Sequence, residues 1–128
     1  MRDLEEWHDT VTEHYLIALL WSEIGEDDEP LDTNYGTEDV VAECRAQVRE
    51  DVSSFLNLIL DSGDLDALKI IMDSPEQTGH DLCLTRNHHG VGFWDRGHGD
   101  AGDVLTKWAH SLGEQHAYVG DDGWVYVD

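Results

Sequence analysis

Leu4, Trp7, Val11, Tyr15, Ala18 and Leu19 recur at helical spacing, with Glu5, Glu6, Asp9 and Glu13 on the other side, which predicts a helix over residues 4–22. Its last turns, with Leu16, Ile17, Leu20 and Trp21, are apolar all round and are expected to be buried. Residues 23–36 break the pattern: Glu23, Glu26, Asp27, Asp28 and Glu29 crowd before Pro30, and Tyr35-Gly36 closes the segment. Like charges at this density resist compaction, so an exposed, mobile loop is expected. Thr37 has the chemistry of an N-cap, with Glu38 and Asp39 in the favourable first turn. In the helix this predicts over about 38–61, Val41, Cys44, Val48, Val52, Phe55 and Ile59 fall within an arc of roughly 80°. Asp39, Glu43 and Glu50 lie opposite, as a row of carboxylates. Asp64 can cap a shorter helix over about 65–73.

Beyond Pro75 and Gly79 the pattern shortens. Asp81-Leu82-Cys83-Leu84-Thr85-Arg86 and Val91-Gly92-Phe93-Trp94-Asp95-Arg96 read as paired strands around Asn87-His88-His89-Gly90. Residues 101–112 carry a helical stripe of Val104, Leu105, Trp108, Ala109 and Leu112, with Asp100 as a cap and Gly113 as a stop. His116–Val119 and Trp124–Val127 form a second hairpin around Gly120-Asp121-Asp122-Gly123. The expected fold is α+β: N-terminal helices, then a β-β-α-β-β unit with a small antiparallel sheet. The chain is expected to form a single domain over 1–128, helical and acidic over about 1–76 and β-rich over about 77–128.

Charge narrows what such a domain can bind. The 128 residues hold 29 acidic and 7 basic side chains, a formal net charge of −22. Residues 1–76 carry 21 acids against 4 bases, and residues 77–128 carry 8 against 3. Direct binding to nucleic acid needs Lys and Arg to displace counterions, and an anionic membrane would repel this chain. No stretch reaches the length of a membrane span, and Met1-Arg2-Asp3-Leu4-Glu5-Glu6 lacks a signal pattern. A soluble, cytoplasmic protein is expected, with Cys44 and Cys83 as small buried hydrophobes.

The run Thr78-Gly79-His80-Asp81-Leu82-Cys83-Leu84-Thr85-Arg86-Asn87-His88-His89-Gly90-Val91-Gly92-Phe93-Trp94-Asp95-Arg96-Gly97 resembles the signature of an uncharacterised family of small acidic proteins from bacteriophages and mobile elements, close to GHDFWLTRNGHGAGFWDRG. Ala18–Ser22, Glu29–Tyr35 and Tyr118–Gly123 extend the resemblance to most of the chain. Leu82-Cys83 stands in place of Phe-Trp, and His88 where glycine is usual. The resemblance implies a phage or plasmid accessory protein acting in the bacterial host cell, and carries no activity with it.

Catalytic residues and cofactors are not expected. His80, His88, His89, Asp95 and His98 are competent metal ligands, and a metal-dependent enzyme centred on them is one alternative. Their spacing matches no metal motif, and turn chemistry and cross-strand pairing account for the same residue types. Asp61-Ser62-Gly63-Asp64-Leu65-Asp66 fails the EF-hand pattern. A charge of −22 far exceeds the roughly 2–8 that keeps a small domain soluble, and it costs stability through self-repulsion. The expectation is therefore an acidic inhibitor of a basic host protein that binds nucleic acid, acting by DNA mimicry as an anti-CRISPR or anti-restriction factor. Glu23, Glu26, Asp27, Asp28, Glu29, Asp32, Asp39, Glu43 and Glu50 are its expected contacts. A phage structural or assembly role is the other alternative, and a solvated, solubilising surface or a high-salt host would account for the acidity equally well.

Overall fold

A computed structural model describes residues 3–90 and 92–128; the side chain of Asp95 also lies outside the description. The described residues form five α-helices, α1 (Leu4–Ser22), α2 (Ala42–Ser62), α3 (Leu65–Asp73), α4 (Pro75–Arg86) and α5 (Asp100–Ser111), and one terminal hairpin, β1 (Ala117–Val119) with β2 (Val125–Val127). Short 3-10 turns stand at Leu31–Thr33, Thr37–Asp39 and Phe93–Arg96. No helix among the described residues is long and apolar enough to cross a membrane.

The amphipathic stripes place the first three helices, but α2 begins at Ala42 behind the 3-10 turn of Thr37–Asp39 and is not capped by Thr37. Ile17 and Trp21, expected to be buried, are exposed. Asp3 caps α1 by accepting the Glu6 N–H at 2.7 Å, and Trp7, Val11, Tyr15, Leu16, Leu19 and Leu20 are buried along it. Trp7 Nε1 donates to the Ile71 carbonyl at 2.8 Å, tying α1 to the end of α3. Val48, Val52, Phe55 and Ile59 form the inner face of α2, and Phe55 stacks on Phe93 with ring centroids 5.8 Å apart. Gly63, at φ +72°, ends α2 in the left-handed conformation. Asp64 then caps α3 through the Ala67 N–H at 3.0 Å.

The β-β-α-β-β unit is not found. Residues 81–86, expected as a strand, lie inside α4, and residues 93–96 form a 3-10 turn. Ser74 opens α4 by accepting the Gln77 N–H at 3.4 Å, and Pro75 occupies its first turn. α4 is the central helix: Thr78, Gly79 and every residue from Asp81 to Arg86 are buried. A helix enclosed on all sides has no polar face, so its sequence loses the period that marks a helix. Within 81–86 the remaining alternation of Leu82 and Leu84 imitates a strand.

α1 packs most extensively on α4, and Gly79 permits the close approach. A Cβ at that position would stand 2.8 Å from the Tyr15 nitrogen and 2.9 Å from the His14 Cβ. α4 ends in a Schellman arrangement, with His89 N–H donating to the Leu84 carbonyl at 2.8 Å and His88 N–H to the Thr85 carbonyl at 3.1 Å. His88 takes φ +61° there, a conformation that favours glycine. The terminal hairpin is found as expected, antiparallel, with Ala117 opposite Val127 and Val119 opposite Val125.

Candidate functional site

The segment that resembles a signature is consumed by structure. Asp81 is buried, and Arg96 grips its carboxylate twice, Nη2 to Oδ1 at 2.9 Å and Nε to Oδ2 at 3.2 Å. Gln77 donates to Oδ1 at 2.8 Å, and His80 Nδ1 lies 3.0 Å from the same oxygen. Thr85 Oγ1 accepts the Phe93 N–H at 2.9 Å, which folds the 93–96 turn back on α4. Gly92 is packed against Thr85, where a Cβ would collide with its hydroxyl.

Arg86 is also buried and lies at the centre of a second network. Its guanidinium donates to Asp51 Oδ2 at 2.9 Å, to the Gly113 carbonyl at 2.6 Å and to the Leu112 carbonyl at 3.2 Å. It also reaches the Tyr15 hydroxyl and Gln115 Oε1, both at 3.3 Å. Tyr15 donates to Gln115 Oε1 at 2.6 Å, and burial raises its phenol well above the ordinary range. Asn87 accepts the Gln115 N–H at 2.7 Å and donates to the Cys83 carbonyl at 3.0 Å. Burial pushes the Cys83 thiol up to about 12, so it behaves as a packed apolar group. Both cysteines are free thiols, with Cys44 half-buried.

The histidines and Asp95 were expected to gather at one end of a hairpin that does not form. His80 stands six residues before the end of α4, about 9 Å of rise, and His88 lies beyond that end in the turn. His80 lies against Trp21, with ring centroids 6.0 Å apart, whereas His88 stacks on His110 at 4.2 Å. His89 is exposed just past the end of α4. His98 lines a cleft of about 330 Å³ together with Gln77, Asp81, Phe93 and Arg96. Among the described residues no three His, Cys, Asp or Glu side chains are grouped as a metal ion requires. In the cleft, the Asp81 carboxylate is already bound on both oxygens.

The acidic residues divide into two sets. Glu23 is held by His116, whose Nδ1 lies 2.9 Å from Oε1; that hydrogen bond raises the imidazole above its ordinary value. Asp39 belongs to the turn before α2 rather than to the helix, and accepts the Gly36 N–H at 2.9 Å. Asp27 accepts the Glu29 N–H at 3.2 Å. By contrast Glu26, Asp28, Glu29, Asp32, Glu43 and Glu50 are exposed and take part in no ion pair among the described residues. The expected row of three on α2 therefore reduces to Glu43 and Glu50.

The loop that carries most of these acids is anchored, where a mobile one was expected. Gly25 N–H donates to the Glu29 carbonyl and Leu31 N–H to the Glu23 carbonyl, both at 2.9 Å, and Leu31 is buried. At its far end Thr37 Oγ1 donates to Glu13 Oε2 at 2.6 Å, and Arg45 reaches Glu13 Oε1 at 3.0 Å and the Thr37 carbonyl at 2.8 Å. Burial raises the Glu13 carboxyl, but these hydrogen bonds outweigh it and hold the group below its ordinary value. A groove of about 540 Å³ runs between this loop and β1, with Glu26, Asp27 and Asp121 in its lining. Sequence reasoning located the loop acids but missed the groove, which depends on the loop lying beside β1. Comparison with protein-family models, curated proteins and solved structures gives no match.

Proposed function

We propose that this chain is a non-enzymatic binding protein that captures a basic, nucleic-acid-binding protein of a bacterial cell through its acidic loop and the start of α2. An inhibitor encoded by a phage or mobile element, of the anti-CRISPR or anti-restriction kind, is the concrete form of this reading. One observation carries it. Arg45, Arg49, Arg86 and Arg96 are all bonded to carboxylates of the chain itself: Glu13, Asp9 with Glu5, Asp51 and Asp81. Four of the seven basic side chains are thus engaged with carboxylates outside the loop, while Glu26, Asp28, Glu29 and Asp32 are exposed and form no ion pair among the described residues, so their field is left to act outward. Such a field accelerates encounter with a basic surface and repels DNA and acidic proteins.

The support is for an acidic patch rather than for a regular helix row that imitates successive phosphates, since Asp39 is turned inward to Gly36. The test is retention of proteins from a bacterial extract on the immobilised chain, with graded salt elution and then challenge of the retained species with duplex DNA. The expected partner binds DNA and releases it when this chain is added. Its retention is lost by about 0.5 M salt, where exposed charges are screened beyond a few ångströms. Replacing Glu26→Gln, Asp28→Asn, Glu29→Gln and Asp32→Asn together is expected to abolish retention without lowering the thermal midpoint, since it relieves self-repulsion. Retention that survives both salt and the four substitutions overturns the reading.

A further inference from the structure

We infer that the groove between the acidic loop and β1 is a docking site for an extended, lysine- or arginine-bearing peptide segment of a partner protein, which adds to the sheet at the free edge of β1. The inference rests on the basic-partner reading above and states how that partner is held.

The pairing of the hairpin determines which backbone groups face the groove. His116 and Asp128 exchange both of their N–H···O bonds at 3.0 Å, and Gly120 N–H donates to the Trp124 carbonyl at 2.8 Å. In an antiparallel pair, hydrogen-bonded and non-bonded residue pairs alternate. Ala117 and Val119, opposite Val127 and Val125, are therefore non-bonded pairs. Their N–H and C=O groups point away from β2, toward the side on which both residues line the groove. No hydrogen bond among the described residues uses them. The opposite edge of the sheet is closed, because Val41 N–H donates to the Val125 carbonyl at 3.0 Å and Val40 bridges Val125. One edge of the sheet is thus taken up by the chain itself, and the other is left open beside a groove. Two residues along a strand span about 6.8 Å, the repeat at which an added strand presents its own donors and acceptors.

The groove also selects the chemistry of its occupant. Leu31, Pro30 and Val119 supply apolar surface, and Tyr35 and Tyr118 supply rings that suit a cationic head or its aliphatic stem. Glu26, Asp27 and Asp121 are its charged lining residues, all acidic. An acidic segment or a nucleic acid strand is repelled there, whereas a basic one is attracted. Glu23 and His116 secure the near end of the loop to the residue before β1, so the two walls keep their spacing.

The probe is a short synthetic peptide of alternating lysine and valine, with binding followed through the backbone amide resonances of the intact protein. Two further versions carry N-methyl groups on one or the other alternate set of amides, and a fourth replaces lysine by glutamate. The parent peptide is expected to bind at low salt and to shift the Ala117 and Val119 amides. Methylation of the set facing β1 is expected to weaken binding about tenfold or more, and methylation of the other set to leave it within about twofold. Replacing Glu26→Gln, Asp27→Asn and Asp121→Asn together is expected to weaken the parent about tenfold. If both methylated peptides bind like the parent while salt still disrupts binding, the strand-addition inference is overturned and the acidic-surface reading stands. If the glutamate peptide binds as well as the lysine one, or the parent fails to bind, both are overturned.

Discussion

Residues 78–97 and the loop–hairpin end of the molecule use polar side chains in opposite ways. In the first, the side chains that look chemical are occupied: Asp81 by Arg96, Gln77 and His80, and Arg86 by Asp51, Tyr15, Gln115 and two carbonyls. In the second, ordinary carboxylates such as Glu26, Asp28, Glu29 and Asp32 are exposed, and the edge of β1 carries backbone groups with no internal partner. A dense, specific-looking motif can therefore be the framework, while a bland acidic stretch holds the groups free to act. The physical distinction is burial. A buried polar group must find partners inside, and once paired it is spent.

The largest expected way to break this contrast is at Arg86. Arg86→Ala leaves Asp51 and the Gln115–Tyr15 pair without their cation in a buried site, which should cost about 3–5 kcal/mol and be visible as a lower urea midpoint. Arg86→Lys should recover only part of the loss, because an ammonium cannot serve five acceptors from one plane. A loss below about 1 kcal/mol for Arg86→Ala would place the network among surface pairs and remove the contrast.

Asp81→Asn comes next. It removes the acceptor's charge and turns one of the two accepting oxygens into an NH2 group facing the N–H donors of Arg96 or Gln77. The change should cost about 1–3 kcal/mol, with faster amide exchange at Phe93–Arg96, the turn that Arg96 secures. If exchange quickens across α1 instead, Asp81 supports the helix crossing and not the turn.

A smaller effect of opposite sign is expected at His88. Its φ of +61° is one that glycine adopts freely, so His88→Gly should stabilise the protein by about 0.5–1 kcal/mol less the value of the ring contact with His110. Thermal unfolding of H88G beside H110A separates the two contributions.

The smallest expected effect is in the loop anchors, and it depends on pH. The His116 imidazole is raised by its hydrogen bond to Glu23, with the charges of Glu23, Glu114 and Asp128 adding to it. Its contribution is complete below the ordinary histidine value near about 6.5 and is lost as pH rises through the raised folded value. Glu13 is lowered, so the anchor at Thr37 and Arg45 contributes above the ordinary glutamate value near about 4.3 and is lost as pH falls through the depressed one. Amide exchange over residues 24–36 should therefore quicken at both ends of the range, first near one anchor and then near the other. His116→Gln should remove the alkaline limb alone.

α1, α2, α3 and α5 were legible from the sequence because each has one wet and one dry face, and the terminal hairpin because Gly120-Asp121-Asp122-Gly123 separates two short alternating runs. α4 was not legible as a helix. Its period was erased by burial on every side, although Ser74-Pro75-Glu76-Gln77 carries the signature of a helix start, a serine cap, a proline at the first position and a glutamine at the third. Taking α4 for a strand also brought His80, His88, His89, Asp95 and His98 together on paper, and the helix keeps His80 and His88 apart. Among the acids, exposure at Glu26, Asp28, Glu29, Asp32, Glu43 and Glu50 followed from local charge density, whereas the inward turns of Glu23 and Asp39 depended on His116 and Gly36.

By itself the sequence determined the amphipathic helices, the terminal hairpin, the weight of negative charge in the first part of the chain and its concentration around residues 23–32. These are properties of composition and short-range period, and they survive whatever the chain packs against. Only the tertiary structure decided that 81–86 is the central helix, that Arg86 and Arg96 are bound to Asp51 and Asp81, and that the acidic loop lies beside an open strand edge. Each of these depends on contacts between residues far apart in the chain, such as Arg86 with Asp51 and Glu23 with His116. No local pattern encodes which distant partner a buried or half-buried polar group will find.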